Sequence, residues 1–377
     1  MDLDDPIDIS WRLVDDWGTD WLATYWPAAV AWALAAVCLA ALLLLRRLRP
    51  LSSRRRRSAQ AAAWGSLGGL SLILGVALAV NTWVGYFPSG DALGRWLDRS
   101  RTELGAVSPA GDGTDPAAPA QRGRAFQTVV EVEGHPADGA WVYLPPGYDA
   151  AGDERRYPVV YALHGAPGSA ADWFAGGQID VVVDGLIDAG AVPPLIVVAP
   201  DLNGGGQPVG HEPLNHPGGA QVEDYVVRDV VAWADRRLRT LADADHRMVA
   251  GMSAGGFGAL VYGLHSPEVF AGVISIMPYT IPQAADVLAD PAALRRNSPL
   301  ELIAARPGAS GQQIFLGQGD RESSAEAEAI NQALRAQGQD STLRIYPGLD
   351  HNWTAARAIM PYGLVWVAQR LGWERPA

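Results

Sequence analysis

Two uncharged stretches dominate the hydropathy pattern near the start of the chain. Tyr25 to Leu45 reads "YWPAAVAWALAAVCLAALLLL" and Ala61 to Phe87 reads "AAAWGSLGGLSLILGVALAVNTWVGYF". Each reaches the roughly 20 apolar residues needed to cross a bilayer core. Neither carries the polar stripe of a helix that rests on a soluble core. The pattern predicts transmembrane helices at 25–45 and 61–87. It changes at Phe126, beyond which short apolar runs alternate with amphipathic ones. "FQTVVEV" and "GAWVYLPPGY" read as an early antiparallel pair. "YPVVYAL" and "PLIVVAP" are apolar without alternation, as strands buried on both faces of a parallel sheet are. "VEDYVVRDVVAWADRRL" reads as an amphipathic helix, and "RMVAGMS", "AGVISIM", "QQIFLGQ" and "TLRIYPG" as further strands. A helix over Thr354 to Leu371 closes the chain. Alternation of this kind predicts a doubly wound, mostly parallel α/β sheet, whose reactive side chains sit at the carboxyl ends of the strands.

Charge orients the spans. Arg46 to Ser58, "RRLRPLSSRRRRS", holds seven arginines between them, and the positive-inside rule puts this loop in the cytoplasm. The segment before the first span is acidic, unlike the basic start of a cleavable signal peptide. Trp21, Trp26, Trp64 and Trp83 lie near the span ends, as an interfacial aromatic belt would. Gly65 and Gly69 form a small-xxx-small pair able to pack the two helices or two copies of the chain. The expected organisation is an acidic segment at 1–24, a span at 25–45, an Arg-rich cytoplasmic loop at 46–60 and a second span at 61–87. A linker at 88–124 then leads to a catalytic domain at 125–377 on the outer side. Within the linker "LGRWLDRSRTEL" reads as a short amphipathic helix and the following Gly/Pro/Ala-rich stretch as flexible.

Composition narrows the partners. The net charge of −12 argues against nucleic acid, and the single cysteine, Cys38, excludes an intrachain disulfide. Every one of the 29 Lys+Arg residues is arginine, a bias typical of high-GC coding.

The chemistry concentrates around "HRMVAGMSAGGFGALVYGL", His246 to Leu264. A strand pattern ends in Gly251-Met252-Ser253-Ala254-Gly255, and Phe257, Leu260, Val261 and Leu264 follow at helical spacing. A serine on a tight strand-to-helix turn needs neighbours without bulk two positions before and after it, and G-x-S-x-G supplies them. Ser253 is therefore the candidate nucleophile. Two histidines follow it. His265 lies about three helical turns along the same helix and would not fold back, which leaves His351, in a loop between a strand and the last helix, as the base. An acid should leave an intervening strand end. "IFLGQGDRE" offers Asp320 there, with Glu322 as its rival, whereas Asp350 is adjacent to His351 and would point elsewhere. The oxyanion donors are the N–H of Ala254, directly after the nucleophile, and that of Ala166 in the loop "YALHGAPGSAADWF", with Gly165 as neighbour. His164 reads as structural.

"LHGAPGSAADWF", "PLIVVAPDLN", "GMSAGGFGAL", "LGQGD" and "GLDHNW", in this order, resemble the esterase D and feruloyl esterase group of α/β-hydrolases, which includes the mycolyltransferases. The resemblance covers roughly Phe126 to Leu371. It implies an α/β-hydrolase fold, with nucleophile, acid and base falling on Ser253, Asp320 and His351 and the oxyanion donors on Ala254 and the Ala166 region. It also implies no metal and no organic cofactor. Ala254 departs from the bulkier methionine of many members; its N–H is unaffected. With the two-span anchor, the chain is similar to actinobacterial membrane-anchored esterases of this group. The function expected is a membrane-anchored serine esterase acting on a small-molecule or lipid ester of the cell envelope. An acyltransferase of the mycolyltransferase type, and a non-catalytic binding protein on a hydrolase fold, are the alternatives. The oligomeric state is not legible.

Overall fold

The computed structural model describes residues 20–47, 54–103, 122–131, 138–148, 154–203, 212–306 and 308–373. The acidic start of the chain, the middle of the arginine loop and the Gly/Pro/Ala-rich stretch at 104–121 lie outside them. The chain divides into two compact units, one over Asp15–Arg95 and one containing Trp96–Ala377.

The first unit is an antiparallel helical hairpin. Helix α1 (Trp26–Arg47) and helix α2 (Arg54–Val84) are both long and apolar enough to cross a membrane. Helix α2 begins inside the arginine run, several residues before the apolar stretch, because arginine is a good helix former. The two helices meet where glycine removes bulk. A methyl on Gly75 would stand 2.3 Å from the Trp32 ring, and one on Gly68 would stand 2.9 Å from Cys38 Cβ. Gly65 and Gly69, the pair singled out by spacing, face open space instead. Gly68 and Gly75 stand seven residues apart, which keeps both on one face of α2. At the open end Asn81 ties the chain together: its amide donates to Leu22 O and Phe87 O, both at 3.1 Å, and its oxygen accepts from Phe87 N–H at 2.8 Å. A third helix, α3 (Gly90–Glu103), takes in the amphipathic segment as far as Glu103.

The second unit is built on an eight-stranded sheet. Its strands are β1 (Arg124–Val130), β2 (Asp138–Leu144), β3 (Val159–Leu163), β4 (Ile196–Pro200), β5 (Arg247–Met252), β6 (Gly272–Ile276), β7 (Gln313–Gly319) and β8 (Ser341–Tyr346). Their order across the sheet is β1-β2-β4-β3-β5-β6-β7-β8. The β1–β2 and β2–β4 pairs are antiparallel and the other five parallel, the mostly parallel α/β arrangement expected from the bare apolar runs. Both faces are covered. Tyr161, Leu163, Val249, Val273, Ile314 and Leu316 pack with Leu260 and Tyr262 of helix α4 (Ala254–His265). On the opposite face the last helix, α5 (Trp353–Arg370), lies so close that methyls on Gly272 and Gly317 would strike Val367 and Ile359. Sequence patterning did not anticipate the three short helices Ala285–Ala289, Pro291–Asn297 and Pro299–Ala305 between β6 and β7. Each is too short for a helical period to register.

Candidate active site

β5 ends at Met252, and Ser253 turns the chain into α4 with φ 58° and ψ −123°. A non-glycine residue rarely holds a positive φ, and such strain persists only where its surroundings impose it. Here the surroundings are explicit. Ser253 N–H donates to Ile276 O at 2.9 Å, and Ser253 O accepts from Phe257 N–H at 2.8 Å. The helix start can press against the sheet because both flanking glycines lack Cβ. A methyl on Gly251 would meet Gly255 O at 2.1 Å, and one on Gly255 would meet Leu163 O at 2.2 Å and His164 O at 2.5 Å. Ser253 is only partly exposed, and the positive end of the α4 dipole lies directly behind it.

The loop after β3 comes up against this turn. A methyl on Gly165 would lie 3.4 Å from Met252 O and 3.6 Å from Ser253 Cβ. Buried His164 fixes the loop's orientation. Its Nε2 accepts from Leu202 N–H at 3.0 Å, which leaves the proton on Nδ1 to be donated to Gly165 O at 2.8 Å. In a trans peptide the C=O and the next N–H point opposite ways. Gly165 O turned onto the imidazole therefore sends the Ala166 N–H away from it, free of the histidine. Ala254 N–H, in the first turn of α4, has no carbonyl one helical turn before it to bond. His164 has the structural part read from its position, and it orients the loop that carries Ala166.

His351 stands after β8, exposed, with Nδ1 2.8 Å from Glu322 Oε2. The two candidate carboxylates divide otherwise than strand-end position suggests. Asp320 directly follows β7, where its backbone still extends the ladder (Asp320 N–H to Tyr346 O, 3.0 Å), and its short side chain accepts from Gly348 N–H at 2.6 Å. Glu322, two residues on and one methylene longer, is the carboxylate that meets the imidazole. Asp350 points away, as anticipated, to Arg321 Nη1 at 2.7 Å. His265 closes the far end of α4 between Glu223 Oε1 at 2.6 Å and Arg296 O at 2.8 Å. Among the described residues nothing hydrogen-bonds Ser253 Oγ. The first turn of α5, directly after His351, is anchored at several points. Asn352 caps it by accepting from Thr354 N–H, Trp353 covers Gly176, and the buried Arg357 guanidinium, its pKa pulled down to about 9 by desolvation, donates to Gly176 O.

The Esterase family model matches residues 139–364, the stretch from β2 into α5 that holds Ser253, Glu322 and His351. The chain belongs to the Esterase family. Among its relatives, the endo-1,4-beta-xylanase/feruloyl esterase of Xylanibacter ruminicola is 27% identical over 225 residues, 57% of this chain and 27% of that protein. Esterase Rv1288 of Mycobacterium tuberculosis is 36% identical over 138 residues, 36% of this chain and 28% of that one. The chain thus spans about a quarter of the length of these two Esterase relatives. An S-formylglutathione hydrolase from Agrobacterium tumefaciens has the same fold, with a TM-score of 0.57 at 23% identity over 71% of this chain and 99% of that one. That fold is the α/β-hydrolase fold expected from the motifs.

Proposed function

We propose that this Esterase family chain is a membrane-anchored serine esterase whose catalytic domain faces out of the cell. The observation that carries the proposal is the backbone of Ser253: a serine held at φ 58° between a buried strand and a helix start, over which the Gly165–Ala166 loop closes. A strained turn of this kind, with glycine two positions before and after the serine, is the geometry that displays a nucleophilic hydroxyl above a sheet edge. In the reaction Ser253 Oγ attacks the ester carbonyl while His351 Nε2 takes its proton. Glu322 accepts from His351 Nδ1–H, which holds the productive tautomer and stabilises the imidazolium. The N–H groups of Ala254 and Ala166 receive the oxyanion. Collapse of the tetrahedral intermediate expels the alcohol with the proton from His351. Water, deprotonated by the same imidazole, then releases the acid from Ser253.

Helices α1 and α2 support the anchor, and the arginines between them support an outward catalytic domain. A bilayer-tethered esterase meets lipid and envelope esters at high local concentration, so the proposed substrates are of that class. The test is fluorophosphonate labelling of the full-length protein in membranes, followed by incubation with envelope lipid extracts. Free fatty or amino acid should be released in a Ser253-dependent way. Acyl transfer to an added sugar without release would favour a mycolyltransferase-type reaction, and absence of any label would favour a binding protein.

A further inference from the structure

Beyond the carboxyl ends of β7 and β8 the two chains stay joined residue by residue. Asp320 N–H donates to Tyr346 O at 3.0 Å, Asp320 Oδ1 accepts from Gly348 N–H at 2.6 Å, and Arg321 N–H donates to Leu349 O at 3.3 Å. Arg321 Nη1 meets Asp350 Oδ2 at 2.7 Å, and Glu322 meets His351. The offset between partners lengthens from 27 to 28 at Gly348, which takes φ 74°, and to 29 at Asp350, where it stays through His351. A side-chain carboxylate thus replaces the backbone acceptor where the ladder slips, and it does so three residues before the base. The crossing is tight: a methyl on Gly319 would stand 2.2 Å from Leu349 O. The Arg321–Asp350 pair is more than half exposed at both partners, 59% and 51%, and such pairs contribute little. Asp320 is the side chain that accepts from the Gly348 turn, next to the backbone bonds of Arg321 N–H to Leu349 O and Asn352 N–H to Asp350 O.

We propose that Asp320 is a positioning residue: its carboxylate fixes the Gly348 turn and so delivers His351 to Glu322 and Ser253, without itself partnering the imidazole. This rests on Ser253 and His351 being nucleophile and base. It separates two carboxylates that stand two residues apart. The part played by Asp320 requires an acceptor oxygen and no charge, whereas that of Glu322 requires the ionised carboxylate.

The test compares Asp320→Asn, Asp320→Ala and Glu322→Gln in the full-length protein, following hydrolysis of a p-nitrophenyl ester across pH and the rate of fluorophosphonate labelling. Asp320→Asn keeps an oxygen for Gly348 N–H and should stay within about threefold of wild type in kcat/KM. Asp320→Ala should lose about 10-fold to 100-fold, chiefly in kcat, the cost of a base displaced by up to about an ångström. Its pH profile should keep the wild-type midpoint. Glu322→Gln should lose about 10³-fold to 10⁴-fold, as when a triad carboxylate becomes an amide. Loss in Asp320→Asn as deep as in Glu322→Gln would overturn the proposal and make Asp320 the acid. Full activity in Asp320→Ala would overturn it from the other side. A wild-type chain that neither labels nor hydrolyses would instead remove the serine-esterase reading, and this proposal with it.

Discussion

Replacing Gly255 by alanine tests the strand-turn-helix geometry without touching any reacting group. The new methyl would lie 2.2 Å from Leu163 O, 2.5 Å from His164 O and 2.6 Å from Leu163 C. Relief needs the start of α4 and the end of β3 to separate by about 1 Å, since carbon contacts settle near 3.5 Å. All three neighbours are backbone atoms at the end of a fully buried strand, so no side chain can swing aside. Overpacking of this kind costs about 1–3 kcal/mol, here at the upper end because the obstacle is main chain. Alanine returns up to about 1 kcal/mol through helix propensity. The net loss of about 2 kcal/mol should lower Tm by about 4–8 °C for a domain of this size. The catalytic effect should be larger in proportion, because the same separation moves Ala254 N–H and Ser253 against the Gly165–Ala166 loop. An ångström of misplacement costs about 100-fold in rate. The assay is Tm by differential scanning fluorimetry in detergent together with kcat/KM on a p-nitrophenyl ester. Gly165→Ala is the companion variant. Its methyl would meet Met252 O at 3.4 Å and Ser253 Cβ at 3.6 Å, near-ordinary contacts, so Tm should hold while KM rises. A Gly255→Ala protein with wild-type Tm and kcat/KM would refute the close approach and the turn built on it.

Two further expectations concern other parts of the molecule. In a Cys38→Ala background, an impermeant maleimide should reach Ser58→Cys only from the cytoplasmic side and Gly111→Cys only from outside; reversed access would put the catalytic domain in the cytoplasm and remove envelope substrates. His265 should make stability pH-dependent. Burial disfavours its charge and Arg306 adds to that, but the hydrogen bond and charge of Glu223, with the Arg296 carbonyl, outweigh both and raise its pKa. A raised folded pKa gives stability that is complete below the ordinary value of about 6.5 and is lost as pH rises through the folded value. The Tm difference between wild type and His265→Gln should therefore shrink as pH rises above about 6.5; a difference that grew would contradict the pairing.

What the sequence discloses here follows from how local each feature is. Strands buried on both faces announce themselves as unbroken apolar runs, so "YPVVYAL" and "PLIVVAP" are legible as β3 and β4. The β2-β4-β3 crossing is not, because strand order depends on long-range pairing. Ser253 is legible because the constraint on it is steric and lies within two residues on either side. The reading of His351 as the proposed base rests on chain order and elimination. The choice between Asp320 and Glu322 is not legible, since both leave the same strand end. Which one reaches His351 depends on the Gly348 turn of another strand, where Asp320 is consumed as an acceptor. The packing of the two helices through Gly65 and Gly69 is not found for a similar reason. Gly65 and Gly69 have the right spacing but the wrong face, and only the partner's Trp32 and Cys38 show that Gly68 and Gly75 are the glycines in use.

The central claim is that Ser253 is a nucleophile. The direct measurement is fluorophosphonate labelling of the full-length protein in its membrane, with the modified peptide read by mass spectrometry alongside ester hydrolysis. The label should sit on Ser253, Ser253→Ala should lose both label and turnover, and His351→Ala should fall nearly as far, since nucleophile and base act as a unit. Wild-type hydrolysis by Ser253→Ala, or a label on another residue, would contradict the account.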